Sequence, residues 1–101
     1  MSQTVLAKLT CKPGTRAAVV EAFEPMLQHV QENEPGTLTY LLHEDVNDAD
    51  VLWFYEVYAD DESFKAHGSS DAMKAIGGAL AGNLAGRPEL VFLNAVGGKG
   101  G

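Results

Sequence analysis

Val51-Leu52-Trp53-Phe54-Tyr55-Glu56-Val57-Tyr58 is a run of β-branched and aromatic residues set between Asp48 and Asp50 on one side and Asp60 and Asp61 on the other. Such a run, bounded by turn formers, reads as one strand. Successive strand side chains point to opposite faces, so Val51, Trp53, Tyr55 and Val57 share one face and Leu52, Phe54, Glu56 and Tyr58 the other. Both faces are apolar or aromatic. A chain of 101 residues covers one sheet face with its own helices but hardly two. The second face calls for a partner or a ligand cavity. Glu56 is an acid among aromatics, which marks it as a candidate site residue.

Working outward, Leu38 to Glu44 forms the preceding strand, with Leu38, Tyr40 and Leu42 opposed to Thr39, Leu41 and His43. The polar stretch 45–50 joins the two as an antiparallel hairpin. It lacks the glycine and the terminal glutamate of a calcium loop and reads as a solvated turn. Val5 to Lys12 alternates as a first strand, with Val5, Ala7, Leu9 and Cys11 on one face. Pro13-Gly14 turns the chain, and Thr15 is placed to cap the helix that follows. Val19, Phe23, Met26, Leu27 and Val30 make its buried stripe, Pro25 predicts a kink, and Pro35-Gly36 ends it. Asp60 or Asp61 caps a short helical turn through Phe64 and His67. Asp71 opens another helix, with Met73, Ile76, Leu80 and Leu84 inward and Gly86 and Pro88 as its stop. Glu89 to Val96 is the last strand.

The resulting order, strand-helix-strand-strand-helix-strand, defines an α+β fold: ferredoxin-like βαββαβ, a four-stranded antiparallel sheet with helices on one face. Residues 1–96 form the single domain, and 97–101 are a Gly-rich tail with nothing to bury. Two such sheets meeting face to face would bury the open surface, so a homodimer is expected, with Trp53 and Tyr55 toward the partner.

Composition narrows the function classes. At 46% hydrophobic and 21% charged residues the chain is that of a globular protein. Its formal charge of −7, with seven scattered Lys and Arg, excludes a phosphate-binding patch and so nucleic acid as partner. No apolar run of ~18 residues exists to span a bilayer, so no membrane partner is expected. Met1-Ser2-Gln3-Thr4 lacks the pattern of a secretory leader. With Cys11 alone, no internal disulfide forms, and a cytoplasmic location is expected. Cys11 itself reads as a small core residue.

Glu34-Pro35-Gly36-Thr37-Leu38-Thr39-Tyr40, then His43, Phe54-Tyr55-Glu56-Val57-Tyr58, His67 and Ser69 together resemble the antibiotic biosynthesis monooxygenase domain. The likeness runs from Val5 to Leu93 and includes the Lys12-Pro13-Gly14 turn. It implies a dimeric α+β barrel with a cavity between sheet and helices. It also implies oxidation of a quinol or polycyclic aromatic phenol or anthrone by molecular oxygen, with no metal, flavin or haem as cofactor. In the anthrone-oxidising branch the third strand carries an Asn and a Trp where this chain has Phe54 and Tyr58, while His43 matches the branch's second-strand histidine. The site residues of the haem-degrading branch correspond here to Ala7, His67 and Gly77, which lack its helix histidine. The chain is most similar to the quinol-oxidising members that carry a His after the third strand.

Chemistry of that kind needs a base that titrates near neutral pH and an apolar pocket that excludes water. His67 and His43 are the candidate bases and Glu56 the third candidate catalytic group. Phe54, Tyr58 and Phe64 are the candidate substrate walls. Each also has a plain structural reading: His67 as a helix-end residue, His43 as a strand-end histidine, Glu56 as a hydrogen-bonded buried acid, the aromatics as core. Three functions stay open: a cofactor-independent monooxygenase, an isomerase or tautomerase on the same scaffold, or a non-catalytic dimer that binds a small molecule.

Overall fold

A computed structural model describes residues 2–100; Met1, at the start of the expected domain, and Gly101, at the end of the expected tail, lie outside it. The elements are β1 (Gln3–Thr10), α1 (Arg16–Asn33), β2 (Thr37–Glu44), β3 (Val51–Tyr58), α2 (Asp61–Gly68), α3 (Asp71–Leu80) and β4 (Glu89–Leu93). They form one antiparallel sheet in the order β2-β3-β1-β4, which is the ferredoxin-like arrangement. β1 and β3 are the central strands, paired in unbroken register from Gln3 with Tyr58 to Thr10 with Val51.

The alternation read from the sequence sorts the two faces. Val5, Ala7 and Leu9 of β1 and Leu52, Phe54, Glu56 and Tyr58 of β3 are all buried on the helix side. α1 covers them with Val19, Phe23, Met26 and Val30, and α3 adds Ile76 and Leu80. Each such side chain removed from water contributes about 1.5–3 kcal/mol, which a sheet face alone would not retain. On the opposite face Leu41 (53% exposed), Tyr55 (40%), Val91 (49%) and Leu93 (40%) remain open, around a half-buried Trp53. Lys8 lies over the Trp53 ring at 5.7 Å, and the indole N–H donates to Asp45 Oδ2 at 2.8 Å.

Several local expectations are corrected. The last helix stops at Leu80, because Gly82 takes a positive φ of 88° and turns the chain back. Leu84 therefore belongs to a bridge with Cys11, fastened by Lys12 N–H to Asn83 O and Ala85 N–H to Thr10 O. β4 ends at Leu93, opposite Thr4, and so stops short of the expected Val96. A bulge between Thr37 and Thr39 sets Leu38 out of the Tyr40–Leu42 alternation and leaves it 58% exposed. Thr15 occupies the cap position of α1, but its hydroxyl donates to Lys12 O and Asn83 O and makes no cap bond. The α2 cap is as expected: Asp60 accepts from Ser63 N–H at 2.8 Å. Arg16, at the start of α1, reaches the hairpin loop and donates to the carbonyls of Asp45, Asp48 and Val51.

Candidate active site

Between the helices and the sheet lies a cavity of about 580 Å³. Val5, Ala7 and Leu9 of β1 form its floor, while Met73, Ile76 and Leu80 of α3 close the opposite side. Gly77 lies on this wall too, with nothing within 4 Å of where a Cβ would stand, so the helix glycine leaves space there. One end is aromatic. Tyr40 stacks on Phe54 with ring centroids 4.5 Å apart, Phe23 meets Phe54 edge-on at 4.9 Å, and Phe64 meets Phe92 edge-on at 5.6 Å. The polar groups on the wall are Tyr40, Glu56, His67 and an exposed Arg87.

His67 reaches the cavity from the last turn of α2. Its ring packs edge-on against Tyr40 at 4.9 Å and tilted against Tyr58 at 5.4 Å. Its Nδ1 lies 2.8 Å from Glu34 Oε1, which also accepts from Thr37 Oγ1 at 2.8 Å. With a carboxylate on Nδ1, the tautomer that donates there leaves Nε2 with a lone pair. No group among the described residues is hydrogen-bonded to that Nε2. Burial by itself would raise the Glu34 carboxyl. The hydrogen bonds from His67 and Thr37, together with the charges of His67 and His29, outweigh it and hold the group below its ordinary range. The second carboxylate oxygen, Oε2, lies 3.0 Å from His29 Nε2, within ion-pair distance but not aligned for a hydrogen bond.

The Glu34-Pro35-Gly36 sequence has a physical role in this contact. Glu34 caps the C-terminal end of α1, its N–H bonded to Val30 O, and Pro35-Gly36 turns the chain into β2. A Cβ on Gly36 would stand 2.8 Å from Ser63 Cβ on α2. Only a glycine lets the turn lie this close to α2, and that approach sets Glu34 against His67.

On the neighbouring strand, Glu56 accepts from the Tyr58 hydroxyl at 2.5 Å. Burial pushes the Glu56 carboxyl above its ordinary value, while the Tyr58 hydrogen bond and the His67 charge pull the other way without cancelling it. Tyr58 and Tyr40 are both raised far above the usual phenol range, in each case mainly by burial. The two tyrosines are therefore hydrogen-bond donors and not ionising groups.

Of the residues singled out from the sequence, the structure brings His67, Glu56, Phe54 and Phe64 to one cavity. It does not bring His43 there. His43 pairs with Trp53 on the face away from the helices, is exposed, and turns Nδ1 to Leu41 O at 3.1 Å. One position of strand register decides this, since Leu42 beside it faces the core. Tyr58 is not a wall residue. It is fully buried behind Phe64, edge-on at 5.2 Å, where it holds Glu56. Three contributors escaped the sequence reading of roles: Glu34, His29 and Arg87. Glu34 was visible as part of the Glu-Pro-Gly motif, but the separation of 33 positions from His67 hides their contact. No cluster of three or more His, Cys, Asp or Glu able to hold a metal ion occurs among the described residues.

A ferredoxin-like sheet beneath an apolar cavity, with a histidine held by a carboxylate on its wall, defines an α+β domain with a pocket of small-molecule size. The family model for antibiotic biosynthesis monooxygenases matches residues 2–78, and the chain belongs to that family. A Caulobacter crescentus structure named for the same family is 33% identical, with 95% of this chain and 91% of that one aligned and a TM-score of 0.89. One from Chloroflexus aurantiacus, also so named, is 28% identical over 99% and 98% of the two chains, with a TM-score of 0.73. Rv0793 from Mycobacterium tuberculosis shares the fold at 18% identity, covering 98% and 99%, with a TM-score of 0.86. A search of curated protein sequences finds no match.

Proposed function

We propose that the protein is a cofactor-independent monooxygenase for a quinol or polycyclic phenol or anthrone, working as a homodimer in the cytoplasm. The observation that carries this reading is His67: a cavity-wall imidazole whose Nδ1 is engaged by Glu34 at 2.8 Å and whose Nε2 is free to accept a proton. Family membership and relatives named for monooxygenases support the reaction class. The exposed apolar row of Leu41, Tyr55, Val91 and Leu93 supports the dimer.

In this scheme His67 Nε2 removes the phenolic proton of a bound hydroquinone, and the anion passes one electron to molecular oxygen. The substrate radical and superoxide couple to form a carbon–oxygen bond as a hydroperoxide. The oxygen–oxygen bond then breaks as water departs, so that quinol plus O₂ gives hydroxyquinone plus H₂O. Glu56, the wall carboxyl best able to carry a proton, supplies one to the departing oxygen. The stacked Tyr40 and Phe54 bind the flat ring, and the apolar floor keeps water from the anion.

Oxygen uptake with reduced naphthoquinols and anthrones, and no added cofactor, tests the proposal. Uptake above both heat-killed protein and His67→Ala supports it. Equal uptake by the wild type and the variant removes His67 from the role of base. A base and a raised carboxyl on one cavity also suffice for a tautomerisation. Product formed under anaerobic conditions, with no oxygen consumed, favours that second reading.

A further inference from the structure

Among the described residues, His67 alone lines both the apolar cavity and a second crevice of about 260 Å³ on its outer side. The crevice is bordered by His29, Asn33, Glu34, Thr37 and Ser70, and none of these reaches the inner cavity. The imidazole is thus a partition. Its Nδ1 faces Glu34 on the crevice side, and Glu34 in turn has His29 Nε2 at 3.0 Å from its other oxygen. Side-chain exposure rises along this line, from 4% at His67 through 12% at Glu34 to 30% at His29. The chain of three groups therefore runs from the interior to solvent.

We propose that His29 is the solvent-side end of a proton relay, His67–Glu34–His29, through which the proton taken from substrate leaves the protein. The inference rests on the reading of His67 as base. On the cavity side Nε2 has no hydrogen-bond partner among the described residues, and the wall there is almost entirely apolar. As Nε2 gains that proton, Nδ1–H passes its own to Glu34 Oε1. Turning of the carboxyl brings that proton to His29 Nε2, 3.0 Å from Oε2, and His29, one helical turn before Asn33, releases its Nδ1 proton to water. No bond other than O–H and N–H is made or broken, and the ring is left neutral with its proton on Nε2, ready for another turnover once that proton has exchanged for one on Nδ1. His29 touches neither substrate nor oxygen; it is a positioning and transfer residue that acts through Glu34.

The test is His29→Gln, which keeps a hydrogen-bonding side chain but cannot shuttle protons. The relay predicts that kcat in dilute buffer falls about tenfold, less than the roughly hundredfold low end of general-base contributions because His67 still takes the proton, while kcat/KM stays within about twofold. It further predicts that added imidazole restores kcat in a saturable way. A merely structural role would lower both constants with no rescue, and that result, or an unchanged kcat, overturns the proposal. A second readout needs no turnover. Solvent exchange of the His67 Nδ1 proton, followed by nitrogen-15 NMR, slows about tenfold in H29Q if the relay is the exit path. Equal exchange in the two proteins overturns it. Should the wild type consume no oxygen with any substrate tested, the monooxygenase reading fails, and the exchange experiment still decides the relay by itself.

Discussion

Replacing Gly36 by Ala places a new Cβ 2.8 Å from Ser63 Cβ, where two carbons normally rest about 3.5–4.0 Å apart. Ser63 Cβ is fixed to the backbone of α2 and cannot rotate aside, so the helix and the 34–37 turn must separate by about 1 Å. Overpacking of this size costs about 1–3 kcal/mol. Gly36 does not have a positive φ, so the backbone itself tolerates Ala, and the stiffer unfolded chain returns about 0.4–1 kcal/mol. The net expectation is a loss of about 1–2 kcal/mol, or roughly 5–15 °C in Tm for a domain of this size. Because α2 carries His67, the same movement opens the contact with Glu34. Thermal melts of the wild type, G36A, S63G and the double variant close a thermodynamic cycle. S63G alone loses about 0.5–1 kcal/mol of helix propensity, yet keeps the backbone N–H that Asp60 caps. The two changes together should be milder than their sum by about 1–2 kcal/mol, since the second makes room for the first. Strict additivity, or a G36A protein as stable as wild type, would refute the close approach as the reason for the glycine.

Three further outcomes are expected. Glu34 is held below its ordinary value near 4.5, so its contribution to stability is complete above that pH and lost as the pH falls through the folded value. Glu34→Gln should therefore be less stable than wild type at pH 7, by roughly 1–3 kcal/mol for hydrogen bonds to a charged group. Denaturant melts should show that gap closing below pH 4.5. Glu56 has the opposite sign: its folded value is raised, so wild-type protein loses stability as pH rises from 4.5 through that value. Glu56→Gln, which still accepts from Tyr58, should be at least as stable as wild type at pH 7, with an advantage that grows from pH 4.5 upward in thermal melts. Tyr55→Asp, on the open sheet face, should convert a dimer to a monomer in light scattering; an unchanged mass would place the dimer contact elsewhere.

The helix-facing residues of β1 and β3 were legible because period-two alternation carries burial directly: Val5, Ala7 and Leu9, like Leu52 and Phe54, are buried as read. So was the Asp60 cap, a local hydrogen bond over three residues. The site was legible in part. His67, Glu56, Phe54 and Phe64 were named from residue type and resemblance, and all four reach the cavity. His43 was not separable from them, since either parity of β2 carried apolar residues and only pairing with β3 fixed the face. The length of the last helix is not legible locally, because Leu84 continues the apolar spacing while Gly82 has already turned the chain.

By itself the sequence determined the element order, the sheet's buried face and the family, because these follow from short-range periodicity and from motifs a few residues long. Only the tertiary structure decided what His67 is. Its carboxylate partner comes from 33 residues earlier, across a turn that packs against α2 through the absence of one Cβ at Gly36. A contact of that kind depends on how two elements dock, and docking is set by the sum of many side-chain volumes that no local pattern encodes.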